Sequence, residues 1–192
     1  MAATNTRERL ITAAGDLFYR SGFQAVGMDS ILSEVGISKQ AFYKHFESKD
    51  ALIVAVLEER DRVEIDQTLE AMRVRGKGDP AKQLLAFFEF LDEWFRSPDF
   101  RGCMFMHAAT EFPAEHDPIH KAAVAHGEHL QRELAKIARQ AGADDPEELA
   151  SQLMLLVHGA VSAHHQTGTR AVAKAAMKAA ELLVERYCAA RV

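Results

Sequence analysis

Met28-Asp29-Ser30-Ile31-Leu32-Ser33-Glu34-Val35-Gly36-Ile37-Ser38-Lys39-Gln40-Ala41-Phe42-Tyr43-Lys44-His45 reads as two short helices hinged on one glycine. In the first, Met28, Ile31, Leu32 and Val35 recur at the spacing that gathers them on one helix face. Gly36 supplies the turn, since a residue without Cβ enters the left-handed region at little cost. Ile37 plugs the angle, and Ser38 is placed to cap a further helix that the spacing predicts to run to about His45. Short helix, glycine turn, short helix is the helix-turn-helix corner. Many helical proteins contain such a corner, so the flanking sequence has to decide its use.

Before the corner, Asn5-x-x-Glu8 has the form of a capping box, and Leu10, Ile11, Ala14, Leu17 and Phe18 form one face of a helix that stops at Gly22. After it, Ser48 caps a long helix with Leu52, Ala55, Val56 and Val63 on one face, broken at Arg75-Gly76-Lys77-Gly78. Asp79-Pro80 starts an aromatic-rich fifth helix carrying Leu84, Phe87, Phe88, Leu91 and Phe95 and ending at Ser97-Pro98. A short sixth is expected from about Gly102 to Glu111. Asp117-Pro118 opens a seventh that ends at Gly142, and Asp145-Pro146-Glu147-Glu148 an eighth that ends near Gly168. Thr169 caps an alanine-rich ninth. No stretch alternates as a strand would, so the expected fold class is all-α, with about nine helices.

Composition bounds the function. The chain has 192 residues, 48% hydrophobic and 27% charged, which is ordinary for a globular protein. No apolar run approaches the roughly 18 residues of a membrane span, and no signal peptide opens the sequence, so a soluble cytoplasmic protein without membrane contact is expected. Cys103 and Cys188 are too few for a disulfide framework. The net charge of −5 argues at first against nucleic acid, but residues 1–50 balance six Lys/Arg against six Asp/Glu, and the acidity lies in the remainder. From Ser38 to Lys49, the lysines 39, 44 and 49 face Glu47 alone. A helical enzyme would need a nucleophile-base pair or a cofactor loop; there is no P-loop, dinucleotide fingerprint or HExxH motif, and neither catalysis nor a cofactor is expected.

Gly22-Phe23, Met28-Asp29-Ser30-Ile31, Val35-Gly36-Ile37-Ser38-Lys39, Phe42-Tyr43-Lys44-His45-Phe46 and Ser48-Lys49-Asp50-Ala51-Leu52 together resemble, in unbroken register, the DNA-binding segment of the tetracycline-repressor (TetR) family. The resemblance covers roughly residues 7 to 52. It implies an N-terminal three-helix DNA-binding domain (residues 1–50) and a C-terminal helical ligand-binding and dimerisation domain (residues 51–192). The implied protein is a homodimeric one-component regulator, usually a repressor, that leaves double-stranded operator DNA when a small-molecule effector binds.

Each implied DNA contact has a physical reading. Ser38 can cap the recognition helix or bond a phosphate, and Lys39 and Gln40 lie in its first turn, the part that faces base edges. A Gln40 carboxamide can pair bidentately with adenine, whereas Lys39 can meet a guanine or only a phosphate. Ala41 shares that turn; Tyr43, Lys44 and His45 follow one turn on, where a phenol and cations can hold the backbone, and Lys49 is a further phosphate contact. Phe42 and Phe46 are assigned to the core. The sequence departs from the family at Gly27, where Thr or Ser is common, at Leu32, where Ala is frequent, and at Gln40-Ala41, where Gly followed by Thr or Ser is frequent. Gly27 and Met28 can still offer helix N-terminal N–H groups to a phosphate.

Beyond residue 51 the inference thins. Phe87, Phe88, Leu91, Trp94, Cys103, Met106, His107, Glu111, His129 and His158 are candidates to line an effector cavity, with packing or surface placement as the competing reading for each. Cys103 follows Arg101-Gly102 and could instead be a redox trigger, or a small core residue. His116 and His120, or His126 and His129, have the spacing of metal ligands, but no cysteine joins them and no metal is expected. Dimerisation is expected through Leu149, Leu153, Leu156, Val172, Ala176, Ala179 and Leu183 of the last two long helices. A helical adaptor that does not bind DNA is the rival reading.

Overall fold

The computed structural model describes residues 5–188, which contain nine helices and no strand. They are α1 (Thr6–Ser21), α2 (Met28–Val35), α3 (Lys39–Phe42), α4 (Lys49–Gly76), α5 (Pro80–Trp94), α6 (Met104–Glu111), α7 (Pro118–Gln140), α8 (Pro146–Thr167) and α9 (Ala171–Cys188). The starts follow local chemistry. At α1 the Asn5 side chain accepts from the Arg7 N–H at 3.1 Å while Glu8 accepts from the Asn5 N–H at 3.3 Å, closing the capping box. Asp79 accepts from the N–H groups of Ala81 and Lys82 at 3.0 and 3.2 Å ahead of α5, and Asp145 from that of Glu148 at 3.1 Å ahead of α8.

Two ends differ from expectation. Regular α3 stops at Phe42, and the chain continues to Phe46 through tighter bonds, Lys44 N–H to Ala41 O at 3.3 Å and His45 N–H to Phe42 O at 2.8 Å. Phe42 and Phe46 are both drawn into the core, and α4 must begin at Lys49, so no further regular turn fits. Likewise α5 ends at Trp94, its last turn tightened by Arg96 N–H to Glu93 O and Ser97 N–H to Trp94 O, both at 3.0 Å. Pro98 then disfavours a helical Ser97.

The chain forms two compact units: Met1–Val63 with Cys103–His126, and Glu64–Gly102 with Gly127–Val192. In the first, Leu10, Ala14 and Phe18 of α1, Ile31 and Val35 of α2, Phe42 of α3 and Leu52 and Val56 of α4 share a core with Met104, Phe105 and Ala108 of α6 and Ile119 and Ala123 of α7. In the second, α5 and α8 both pack on α9, whose Ala173, Ala176 and Ala180 are buried and let helices approach closely. Among the described residues no helix is long and apolar enough to cross a membrane.

This packing corrects part of the expected dimer face: of its seven positions, Leu156, Val172, Ala179 and Leu183 are half-buried, and the other three are taken up by the core. Leu149, Leu153 and Ala176 are buried inside the second unit, at 0, 0 and 7% exposure, because α8 and α9 turn their most regular apolar stripes toward each other and α5. On α8 and α9 the large apolar side chains left exposed are Leu155 and Leu182, at 69 and 67%.

Candidate nucleic-acid interface

The corner between α2 and α3 is fixed by its backbone. Gly36 takes φ 71° and ψ 41°, and its N–H and that of Ile37 both reach the Leu32 carbonyl, at 2.9 and 3.1 Å. Arg9 of α1 adds a side-chain brace, Nη2 donating to the Val35 carbonyl at 2.5 Å. Sequence reading missed Arg9, because its partner lies 26 residues away and no local spacing signals the contact.

Ser38 caps α3, its Oγ accepting from the Ala41 N–H at 3.2 Å. With only four residues, α3 is held by one anchor, the fully buried Phe42. Anchoring at that position turns the rest of the turn outward: Ser38, Lys39, Gln40 and Lys44 are exposed, and Ala41 and His45 half-buried. Tyr43 is 51% exposed, edge-on to Phe42 at 5.4 Å between centroids, so it is not core. The result is a carboxamide, a hydroxyl, a phenol and two ammonium groups on a rigid support, the chemistry that bonds base edges and phosphates.

Around this turn, Gly27 caps α2 in an extended conformation, φ −78° and ψ 159°, with no side-chain cap bond, and a Cβ at this position would meet nothing within 4 Å. Met28 follows, half-buried. Lys49 opens α4 behind a Ser48 cap, Oγ accepting from the Ala51 N–H at 3.0 Å, and its ammonium lies 6.0 Å from the centre of the Phe18 ring. Arg7, which sequence reading passed over, sits over Phe46 at 5.2 Å and adds a cation to the same unit.

The ten effector candidates fall into both units. Phe87, Phe88, Leu91 and Trp94 on α5, His129 on α7 and His158 on α8 belong to the second. Phe87, Phe88 and Leu91 are buried there, Trp94 and His129 half-buried, and His158 exposed. Trp94 meets Phe100 edge-on at 4.9 Å, Phe95 stacks on the buried His164 at 4.3 Å, and His164 Nδ1 is bonded to the Thr169 carbonyl at 2.9 Å. Cys103, half-buried and the N-cap of α6, and Met106, His107 and Glu111 on α6 belong to the first unit. There Glu111 binds the backbone of Phe23 and Gln24. Of the paired histidines, His120 bonds the Phe112 carbonyl and His126 bonds Asp61, each at 2.8 Å, with the His126 ring stacked on Phe105 at 3.6 Å. Among the described residues no three His, Cys, Asp or Glu side chains are grouped to hold a metal.

Residues 10–56 match the family model of bacterial regulatory proteins, tetR family, and residues 80–180 that of the tetracyclin repressor-like C-terminal domain. The transcriptional repressor NemR of Escherichia coli is 29% identical over 108 residues, 56% of this chain and 54% of NemR. The transcriptional activator FasR of Mycolicibacterium smegmatis is 35% identical over 92 residues, 45% of this chain and 40% of FasR. The chain thus spans about half the length, or less, of these relatives. The crystal structure of a TetR-family regulator from Streptomyces coelicolor superposes with a TM-score of 0.86 at 30% identity, covering 95% of this chain and 96% of that one.

Proposed function

We propose that this chain, which belongs to the TetR family of bacterial regulatory proteins, represses transcription as a homodimer on a pseudo-palindromic operator and leaves it when a small apolar or amphipathic molecule binds. The family consists of transcription regulators rather than enzymes. One observation carries the operator reading: a four-residue recognition helix anchored by a buried Phe42 with Lys39, Gln40, Tyr43 and Lys44 held outward. Gln40 reads a base; Ser38, Lys39, Tyr43, Lys44, His45 and Lys49, with the backbone of Gly27 and Met28, hold phosphates, and Ala41 lies against the groove floor. In this division of labour residues 1–50 read DNA and residues 51–192 dimerise and sense.

The exposed Leu155 and Leu182 support dimerisation through α8 and α9, with Gly159, where a Cβ would meet nothing within 4 Å, allowing close approach. Burying each leucine contributes about 1.5–3 kcal/mol. The effector is assigned to the aromatic group around Trp94, Phe95 and Phe100, whose packing it must displace in order to favour one state over the other. NemR, named a repressor, favours repression, whereas FasR, named an activator, represents the opposite sign.

Selecting fragments from random DNA with the purified chain, and footprinting those retained, tests the reading. The expected result is two protected half-sites about 34–36 Å apart or more, matching two recognition helices. A protein that sediments as a monomer on DNA, or retains no sequence preferentially, sinks it. A reporter driven by the selected site should rise when the protein is absent; a fall assigns activation instead.

A further inference from the structure

At the end of α6, the Glu111 carboxylate accepts the Phe23 N–H on Oε1 at 3.1 Å and the Gln24 N–H on Oε2 at 2.8 Å. Gln24 returns the contact, its Nε2 donating to the Glu111 carbonyl at 2.9 Å. Three hydrogen bonds therefore join residues 87 or 88 apart in sequence, all within the first unit. Bonds from backbone N–H groups to a carboxylate are charge-assisted and stronger than neutral ones. The surroundings are built to match. Phe23 is fully buried, 5.2 Å from the Phe18 ring and edge-on to Phe112 at 6.1 Å. Gly22 lies at φ +83°, and a Cβ on it would stand 3.1 Å from Glu111 Oε1. The carboxylate thus closes on a stretch of backbone suited to glycine.

That stretch runs from the end of α1 at Ser21 to the start of α2 at Met28. With two of its N–H groups gripped by Glu111 and with Phe23 and Val26 buried, it has little freedom left. It delivers the α2 N-terminus, where Gly27 makes no side-chain cap bond. We propose that Glu111 is a positioning residue for DNA binding: by holding the 22–27 segment it sets the α2 N-terminus where Gly27 and Met28 meet a phosphate. This rests on the operator reading above, and it gives Glu111 a task other than lining an effector cavity.

The test uses the full chain, DNA selected by the wild type, and the variants Glu111→Ala, Glu111→Gln and Gln24→Ala. With one backbone N–H contact to phosphate per subunit no longer held, Glu111→Ala should bind about tenfold more weakly, and ethylation of the phosphate at the α2 N-terminus, which interferes with wild-type binding, should cease to interfere. The contact carries no cation, so the salt dependence should stay as it is. Glu111→Gln, which keeps one acceptor oxygen, and Gln24→Ala, which removes only the return bond, should shift the same way by less. Hydrogen exchange at the Phe23 and Gln24 amides should quicken in both Glu111 variants without DNA present.

A residue that merely supports the fold would lower the active fraction and leave the pattern of phosphate interference alone, so an unchanged pattern in folded Glu111 variants overturns the proposal. Should Glu111→Ala fail to fold, Glu111→Gln and Gln24→Ala carry the interference measurement. Unchanged amide exchange overturns the tie itself, whatever the DNA result. A wild type that selects no DNA defeats the operator reading instead, and the two failures are thereby told apart.

Discussion

In the first unit Phe42 is fully buried while its neighbours Gln40 and Tyr43 stay in solvent; in the second, Phe87, Phe88 and Leu91 are all buried, and Phe95 and Phe100 close on His164. The first arrangement separates holding from reading, since one buried ring sets the position of polar groups left in solvent. The second spends its aromatic residues on one another, so an effector of the kind proposed would have to compete with contacts the protein already makes. On the proposed reading, specificity is concentrated in a few exposed side chains in one unit and bound up with stability in the other.

Paired truncations probe that contrast most strongly. Phe42→Ala and Phe88→Ala each remove a fully buried ring and should cost about 3–5 kcal/mol in denaturant melts. Operator binding should vanish with Phe42→Ala. In folded Phe88→Ala the ratio of operator to random-DNA affinity should persist, and a change in that ratio would break the comparison. Next in size, Gln40→Ala should lose about 1–3 kcal/mol on the selected site and almost nothing on random DNA, by titration of both. Lys49→Ala should weaken both alike and lower the salt slope by about 0.9 for each phosphate it no longer neutralises. Equal losses on both DNAs for Gln40→Ala would end its role as a base reader.

Smaller still is Gly36→Ala. A Cβ there meets nothing within 4 Å, so the cost is only that of a left-handed non-glycine residue, about 1–2 kcal/mol, readable as a lowered unfolding midpoint. The smallest effect belongs to the second unit. Asp79 is held below the usual carboxylate range, first by the Lys82 N–H, then by the Lys82 side chain and the Ala81 N–H. Its folded-state value is the lower one, so the cap contributes stability above the ordinary carboxylate range and loses it as pH falls through the lowered value. Acid unfolding curves of wild type and Asp79→Asn should therefore differ near neutrality and converge at low pH.

Where a feature is written in neighbouring residues, the sequence announces it. The capping box at Asn5, the Gly36 turn, the Ser38 cap and the Asp79-Pro80 start are all decided within four residues. Periodicity tells which side chains share a helix face but not what that face meets, which is why Leu149 and Leu153, expected at a subunit interface, lie in the core. Arg9 escapes altogether, and Glu111 is singled out for a different task, for their partners are backbone groups remote in sequence, and a backbone N–H or carbonyl leaves no trace in residue type.

The core of the first unit is drawn from Leu10 to Leu57 and then again from Met104 to Ala123, with residues 64–102 given to the second unit in between. On a ribosome the recognition turn has emerged by His45, but the last residue of its core follows some 80 residues later. At about 5–20 residues per second that is an interval of roughly 4–16 s. For most of it Phe18, Phe23 and Ile31 lack the α6 and α7 side chains that complete their cluster. The nascent chain therefore carries an incomplete apolar cluster during that interval, and the part that reads DNA is finished only after most of the polypeptide has been made.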